Sequence, residues 1–141
     1  RMLEDPRLLA GGGATHVALA RRLRRFAESI PGREQLGAEA FADALEVIPR
    51  VLAENAGLDP IDTLLQLVAA QVNGGDNSLY LGLDLLNRRP ANMIEHGILE
   101  PYLITRQSIA GATEAAISIL RIDDVLWAKQ DPTMAEVPEM E

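Results

Sequence analysis

The chain of 141 residues has no cysteine. That excludes a disulfide framework and any thiolate metal site. Histidine is nearly as scarce. His16 and His96 are the two copies, too far apart to form a ligand pair of local spacing, so no metal site is expected. Aromatic residues are 4% of the chain, so a core must be built from Leu, Ile, Val and Ala. No apolar run reaches the roughly 18–20 residues that a membrane-spanning helix needs. The opening RMLEDPRLL is charged on both sides of a short apolar pair, unlike a secretory leader. An excess of basic charge is also missing: 21 acidic residues against 13 Lys and Arg leave a net charge of −8. Dedicated nucleic-acid-binding domains are normally basic, so neither nucleic acid nor membrane is an expected partner. The first residue is arginine instead of methionine, which reads as a fragment or a processed chain with the cytoplasm as its default location.

What is present is a 48% hydrophobic sequence of single-domain size. Helical periodicity dominates. From Ala14 to about Ser29, Leu19, Leu23, Phe26 and Ile30 form one apolar stripe, and Pro31-Gly32 ends it. A second helix is expected from Glu34 to Asn55 on Phe41, Leu45, Ile48 and Leu52, with a kink or break at Pro49. Asn55-Ala56-Gly57 is a stop signal, with Gly57 suited to the left-handed position after a helix. Asp59 is placed to cap a third helix, with Pro60 at its first position and Ile61, Leu65, Val68 and Val72 as its buried stripe. A turn at 73–77 follows. Short strands are expected around Leu79–Leu86, a turn at Asn87–Pro90 and a short helix near Ala91–His96 closed by Gly97. A fourth long helix covers Leu103–Leu120 on Ile109, Ala112, Ala116 and Leu120. Arg121–Ala128 reads as a closing strand. From Gln130 the tail is acidic and proline-containing, and is expected to be disordered. The fold class is therefore mainly α: about four long amphipathic helices in a bundle with short edge strands.

Four features carry chemistry. Gly11-Gly12-Gly13 stands at the mouth of the first helix. It is either a flexible helix start or a backbone cradle for an anion, since a helix N-terminus offers unpaired N–H groups. It matches neither GxxxxGK[ST] nor GxGxxG. Arg21, Arg22, Arg24, Arg25 and Arg33 form a basic cluster: a phosphate or nucleic-acid patch, a solvated face pairing with acidic neighbours, or a surface for pairing between subunits. Asp84, Glu100, Asp123 and Asp124 adjoin apolar segments, as ligands for a ribose, a magnesium ion or a catalytic water, or as turn and cap residues. His16, one turn into the first helix, is an anion contact or a surface side chain. No Ser-His-Asp or Cys-His set supports nucleophilic catalysis.

Four colinear segments resemble the C-terminal part of a group II chaperonin subunit, the family of the archaeal thermosome and its eukaryotic cytosolic relatives. These are LLAGGGA at Leu8–Ala14, the run Arg21–Leu64, GLDLLNRRPANMIEHGILEP at Gly82–Pro101 and TRQSIAGATEAAISILRIDDV at Thr105–Val125. The third is similar to the family pattern GLNVxxGxxxDMxxxGVxEP without a gap. The resemblance covers about residues 5–129. It implies part of a helical equatorial domain that binds ATP or ADP with magnesium, in a double ring of neighbouring subunits around unfolded polypeptide clients. Within it, Gly11, Gly12 and Gly13 would face the nucleotide, Asp84, Leu85 and Leu86 would lie beside the adenine, and Glu100 would point to the ribose. The resemblance also places a GDGTT-type phosphate loop and a catalytic aspartate upstream of residue 1, so this chain alone is not expected to hydrolyse ATP. Three positions depart from the pattern: His16 stands where glutamate is usual, Asp84 where asparagine is frequent, and NRRPAN where a glycine and an acidic residue are common. The alternative is a stand-alone helical interaction or oligomerisation module without nucleotide.

Overall fold

A computed structural model describes residues 6–130, with side-chain surroundings as far as Arg121. The elements are β1 (Leu8–Ala10), α1 (Ala14–Glu28), α2 (Arg33–Leu45), α3 (Val47–Asn55), α4 (Pro60–Asn73), a 3-10 turn at Gly75–Tyr80, β2 (Leu81–Asp84), β3 (Arg89–Asn92), β4 (Leu99–Pro101) and α5 (Tyr102–Gln130). The strands form two antiparallel pairs, β1 with β4 and β2 with β3. The molecule is mainly helical, with short strand pairs, as expected.

The expected second helix is two helices. α2 stops at Leu45 and α3 starts at Val47, so the interruption precedes Pro49 by a turn. The cause is still Pro49. It has no N–H for the Leu45 carbonyl, and its ring crowds that carbonyl. Further on, the chain turns sharply between α3 and α4. Gly57 adopts φ 74°, Gly57 N–H donates to Glu54 O at 3.0 Å and Leu58 N–H donates to Ala53 O at 2.9 Å. This is a Schellman stop. Asp59 Oδ1 then accepts from Ile61 N–H and Asp62 N–H, both at 3.0 Å, and starts α4 with Pro60 in its first turn.

Two other elements differ from expectation. No helix forms at Ala91–His96. Residues up to Asn92 pair as β3, and Asn92 Oδ1 caps Ile94 N–H and Glu95 N–H at 3.0 and 3.2 Å. Gly97, at φ 69°, and the Ile98 N–H to Met93 O bond of 2.9 Å close the turn before a second one can form. Arg121–Ala128 belongs to α5 and is not a strand. Between Ala112 and Gln130 there is neither glycine nor proline. A helix there propagates on its own carbonyls, whereas a strand needs a partner edge. The tail beyond Gln130 lies outside the described residues.

The buried faces are not the large apolar stripes. On α1, Ala14, Val17, Ala20 and Ala27 are buried, while Leu19 and Phe26 are exposed. Ala20 packs with Ala42 and Leu45, flanked by Leu23, Phe41 and Ile109. Alanine on facing helices permits close approach, and the larger side chains are left on the shoulders of that contact. On α4 the buried residues are Thr63, Leu67 and Gln71; Ile61, Leu65 and Val72 are 64%, 62% and 61% exposed. Along α5, Ile109 is half-buried, but Ala112, Ala116 and Leu120 are exposed. The small side chains and Gln71 decide the packing because they fit where backbones come closest.

Candidate functional site: the glycine turn at the mouth of α1

Gly11–Ala14 form a tight turn. Ala14 N–H donates to Gly11 O at 3.1 Å, across Gly12 at φ 63° and Gly13 at φ 80°. Two consecutive central residues with positive φ define a type I′ turn, which glycine adopts at no steric cost. Crowding adds a second requirement. A Cβ on Gly12 would lie 3.0 Å from Leu83 O and 3.1 Å from Leu83 N, and one on Gly13 would lie 2.9 Å from Pro49 Cβ. Gly82 answers from the other side, where a Cβ would be 2.6 Å from Gly11 O.

The turn is the hub of the local structure. Gly11 N–H donates to Ile98 O at 2.9 Å, just before β4, and Leu83 N–H donates to Gly12 O at 2.8 Å, within β2. Thr15 Oγ1 donates to Ala10 O at 3.0 Å. Among the described residues, the N–H groups of Gly12, Gly13, Thr15 and His16 have no acceptor. These are the orphan donors of a helix start and its preceding turn.

The carboxylates sit one and two residues beyond those anchor points. Asp84 follows Leu83 and is 3% exposed. Its Oδ1 accepts from Leu86 N–H at 3.0 Å and Asn87 N–H at 3.2 Å, and its Oδ2 accepts from Asn87 Nδ2 at 2.7 Å. His96 Nε2 is 3.6 Å from the same Oδ2. The Asn87 side chain above all, then the backbone N–H of Asn87 and, more weakly, of Leu86 and the nearby imidazole, hold this carboxyl below its ordinary range against the opposing effect of desolvation. Glu100 follows Leu99 in β4, is half-buried and accepts from Thr105 Oγ1 at 3.1 Å through Oε2. Leu85 and Leu86 lie on the turn after β2, and Leu86 is 93% exposed. The structure thus joins Gly11–Gly13 through backbone bonds to the strands that carry Asp84 and Glu100. Leu85 and Leu86 project from the adjoining turn.

Gln71 was not singled out from the sequence, yet it ties these pieces together. Buried on α4, it donates through Nε2 to Ala14 O and to Leu81 O, both at 2.9 Å, and its Oε1 accepts from Arg21 Nη1 at 3.3 Å. It fixes the start of α1 against the start of β2. Its signal in the sequence is faint, a polar residue at helical spacing from Leu67. The basic cluster resolves partly into ion pairs. Arg24 Nη2 contacts Asp43 Oδ1 at 2.7 Å and Glu46 Oε1, and the Glu46 bond first of all makes its guanidinium still harder to deprotonate. His16 is half-buried. It lines an apolar groove with Phe41, Ile48 and Ile109, and its buried Nδ1 has no partner. The side chains of Asp123 and Asp124 lie outside the described residues. Among the described residues, no three His, Asp or Glu side chains converge on a metal site. No helix among them is long and apolar enough to cross a membrane.

Comparison with known proteins bears on the family and the fold. Residues 1–130 match the sequence profile of the TCP-1/cpn60 chaperonin family. The chain is 55% identical over 128 residues to the thermosome subunit of Methanocaldococcus jannaschii, covering 91% of this chain and 23% of that protein. It is 53% identical over 128 residues to the thermosome subunit of Methanopyrus kandleri, with the same coverage of 91% and 23%. In structure it is similar to the open-state monomer of a group II chaperonin from Methanococcoides burtonii, with a TM-score of 0.75 and 45% identity over 81% of this chain and 28% of that one. The chain therefore spans about a quarter of the length of these relatives. By residues 1–130 and by fold, it belongs to the TCP-1/cpn60 chaperonin family.

Proposed function

We propose that this chain supplies one wall of the ATP pocket of a chaperonin subunit. The observation that carries the reading is the Gly11–Gly13 turn. Its backbone is locked to β2 and β4, while the N–H groups of Gly12, Gly13, Thr15 and His16 are left for an external acceptor. Such donors suit a phosphate, and the α1 dipole adds to their attraction. The apolar Leu85 and Leu86 suit a purine face, and Glu100, which bonds Thr105 through Oε2, suits ribose hydroxyls through Oε1. A magnesium ion would arrive with the nucleotide, since the described residues offer no cluster of their own to hold one. In this reading residues 1–129 are the C-terminal part of an equatorial domain and 130–141 an acidic tail. The intact subunit works in the cytoplasm, in a ring with its neighbours, on unfolded polypeptide.

Hydrolysis then requires groups supplied by the rest of a subunit. The purified chain is expected to take up Mg-ADP saturably in calorimetry and to release no phosphate from ATP. Glu100→Gln keeps the Thr105 bond but loses the charge, and should weaken ADP binding about tenfold, the scale of a charge-assisted hydrogen bond. Gly12 is the wrong place for this test, because its substitution attacks the fold. Magnesium-dependent turnover by the chain alone would refute the division of labour. Absence of ADP binding together with a defined oligomer would favour an interaction module, a reading supported by exposed Ile61, Leu65 and Val72 on α4.

A further inference from the structure

Arg88 is the one non-glycine residue among those described with positive φ, at 58°. A Cβ is disfavoured there, and only Asn and Asp among other residues visit the region with ease. The position coincides with the second glycine of the GLNVxxG pattern to which Gly82–Arg88 is similar. A glycine would occupy this backbone freely, and this chain keeps an arginine. Strain of this kind persists where the surroundings over-determine the conformation. Here they do. Upstream, Asp84 pins Leu86 N–H and Asn87 N–H. Downstream, β3 begins at Arg89, paired directly with Asp84. The Arg88 side chain itself crosses to another element: Nη2 donates to Gly57 O at 3.3 Å. Gly57 is the left-handed residue of the Schellman stop between α3 and α4.

We infer that Arg88 is a positioning residue that braces the Asp84–Asn87 turn against the elbow between α3 and α4. The guanidinium satisfies a carbonyl at a helix end and ties together two segments 31 positions apart. The brace fixes where Leu85 and Leu86 stand relative to α4. A glycine at this position would relax the backbone and release the turn. Its consequence for nucleotide, and that part alone, rests on the pocket proposed above.

The test uses the 141-residue chain with Arg88→Gly, Arg88→Ala and Arg88→Lys. Amide exchange at Leu86 and Asn87, thermal midpoint and ADP affinity are measured in each. Arg88→Gly should raise the thermal midpoint yet speed exchange at Leu86 and Asn87 about fivefold, the scale of one lost hydrogen bond. Arg88→Ala should speed exchange equally without raising the midpoint. Arg88→Lys, which keeps a donor, should restore slow exchange. A merely structural role would make exchange follow the midpoint, so slower or unchanged exchange in Arg88→Gly overturns the brace. If exchange accelerates while no variant, the parent included, binds ADP, the brace stands and the pocket reading fails. If the parent binds ADP and Arg88→Gly binds it equally well, the effect on nucleotide is overturned.

Discussion

Asp84 has its lone pairs committed to its own turn and to His96. Two backbone N–H groups share Oδ1, and an asparagine amide and a histidine face Oδ2. Its carboxyl titrates below the ordinary value of 3.8, so as the pH falls the unfolded chain takes up this proton first. The stability that Asp84 contributes is complete above about pH 5 and is lost as the pH falls through the folded-state value. Asp84→Asn keeps an acceptor at Oδ1 without the charge. Its urea midpoint should fall less between pH 5 and pH 3 than that of the parent chain. An equal fall in both would show that other carboxylates carry the acid sensitivity. Gly12 makes the complementary case. Gly12→Ala places a Cβ against the Leu83 backbone at φ 63°, and the left-handed backbone alone costs about 1–2 kcal/mol. A lower midpoint in denaturant is the expected reading, and an unchanged midpoint would mean that the turn relaxes.

Elements whose ends are governed by neighbouring residues were legible in the sequence. The Gly57 stop and the Asp59-Pro60 start of α4 are such cases, because each depends on hydrogen bonds spanning five residues or fewer. Asp59→Ala should therefore cost about 1 kcal/mol, the usual value of a lost N-cap, with the loss read from the denaturant midpoint. Elements that depend on competition were misread. Asn92 begins a turn that Gly97 closes at once, so the local signals for a helix at Ala91–His96 yield a single turn. The β-branched residues after Arg121 suggested a strand, but α5 runs on because nothing breaks it. The break expected at Pro49 falls at Glu46, with Pro49 in the first turn of α3, since its effect falls on the carbonyl four residues back.

Across the whole molecule, three α4 side chains expected in the core face outward: Ile61, Leu65 and Val72. Exposed apolar rows of this kind associate when nothing covers them. The isolated chain is expected to show concentration-dependent association by sedimentation, and Leu65→Glu should reduce it with little change in helix content. A monomer at all concentrations would show that this face is tolerated in water.

By itself, the sequence determined the helical class, the capped ends of α3 and α4, the glycine turn as a feature of interest and, through four colinear segments, the family. Those properties rest on short-range hydrogen bonds or on residue order. Tertiary structure alone decided which side of each helix is buried, why all three glycines are crowded, and that Gln71 joins α1 to β2. Such outcomes depend on how closely distant backbones approach. Alanine, glycine and a satisfied amide fit the narrowest gaps, and the larger apolar side chains of α1 and α4 are displaced to the edges.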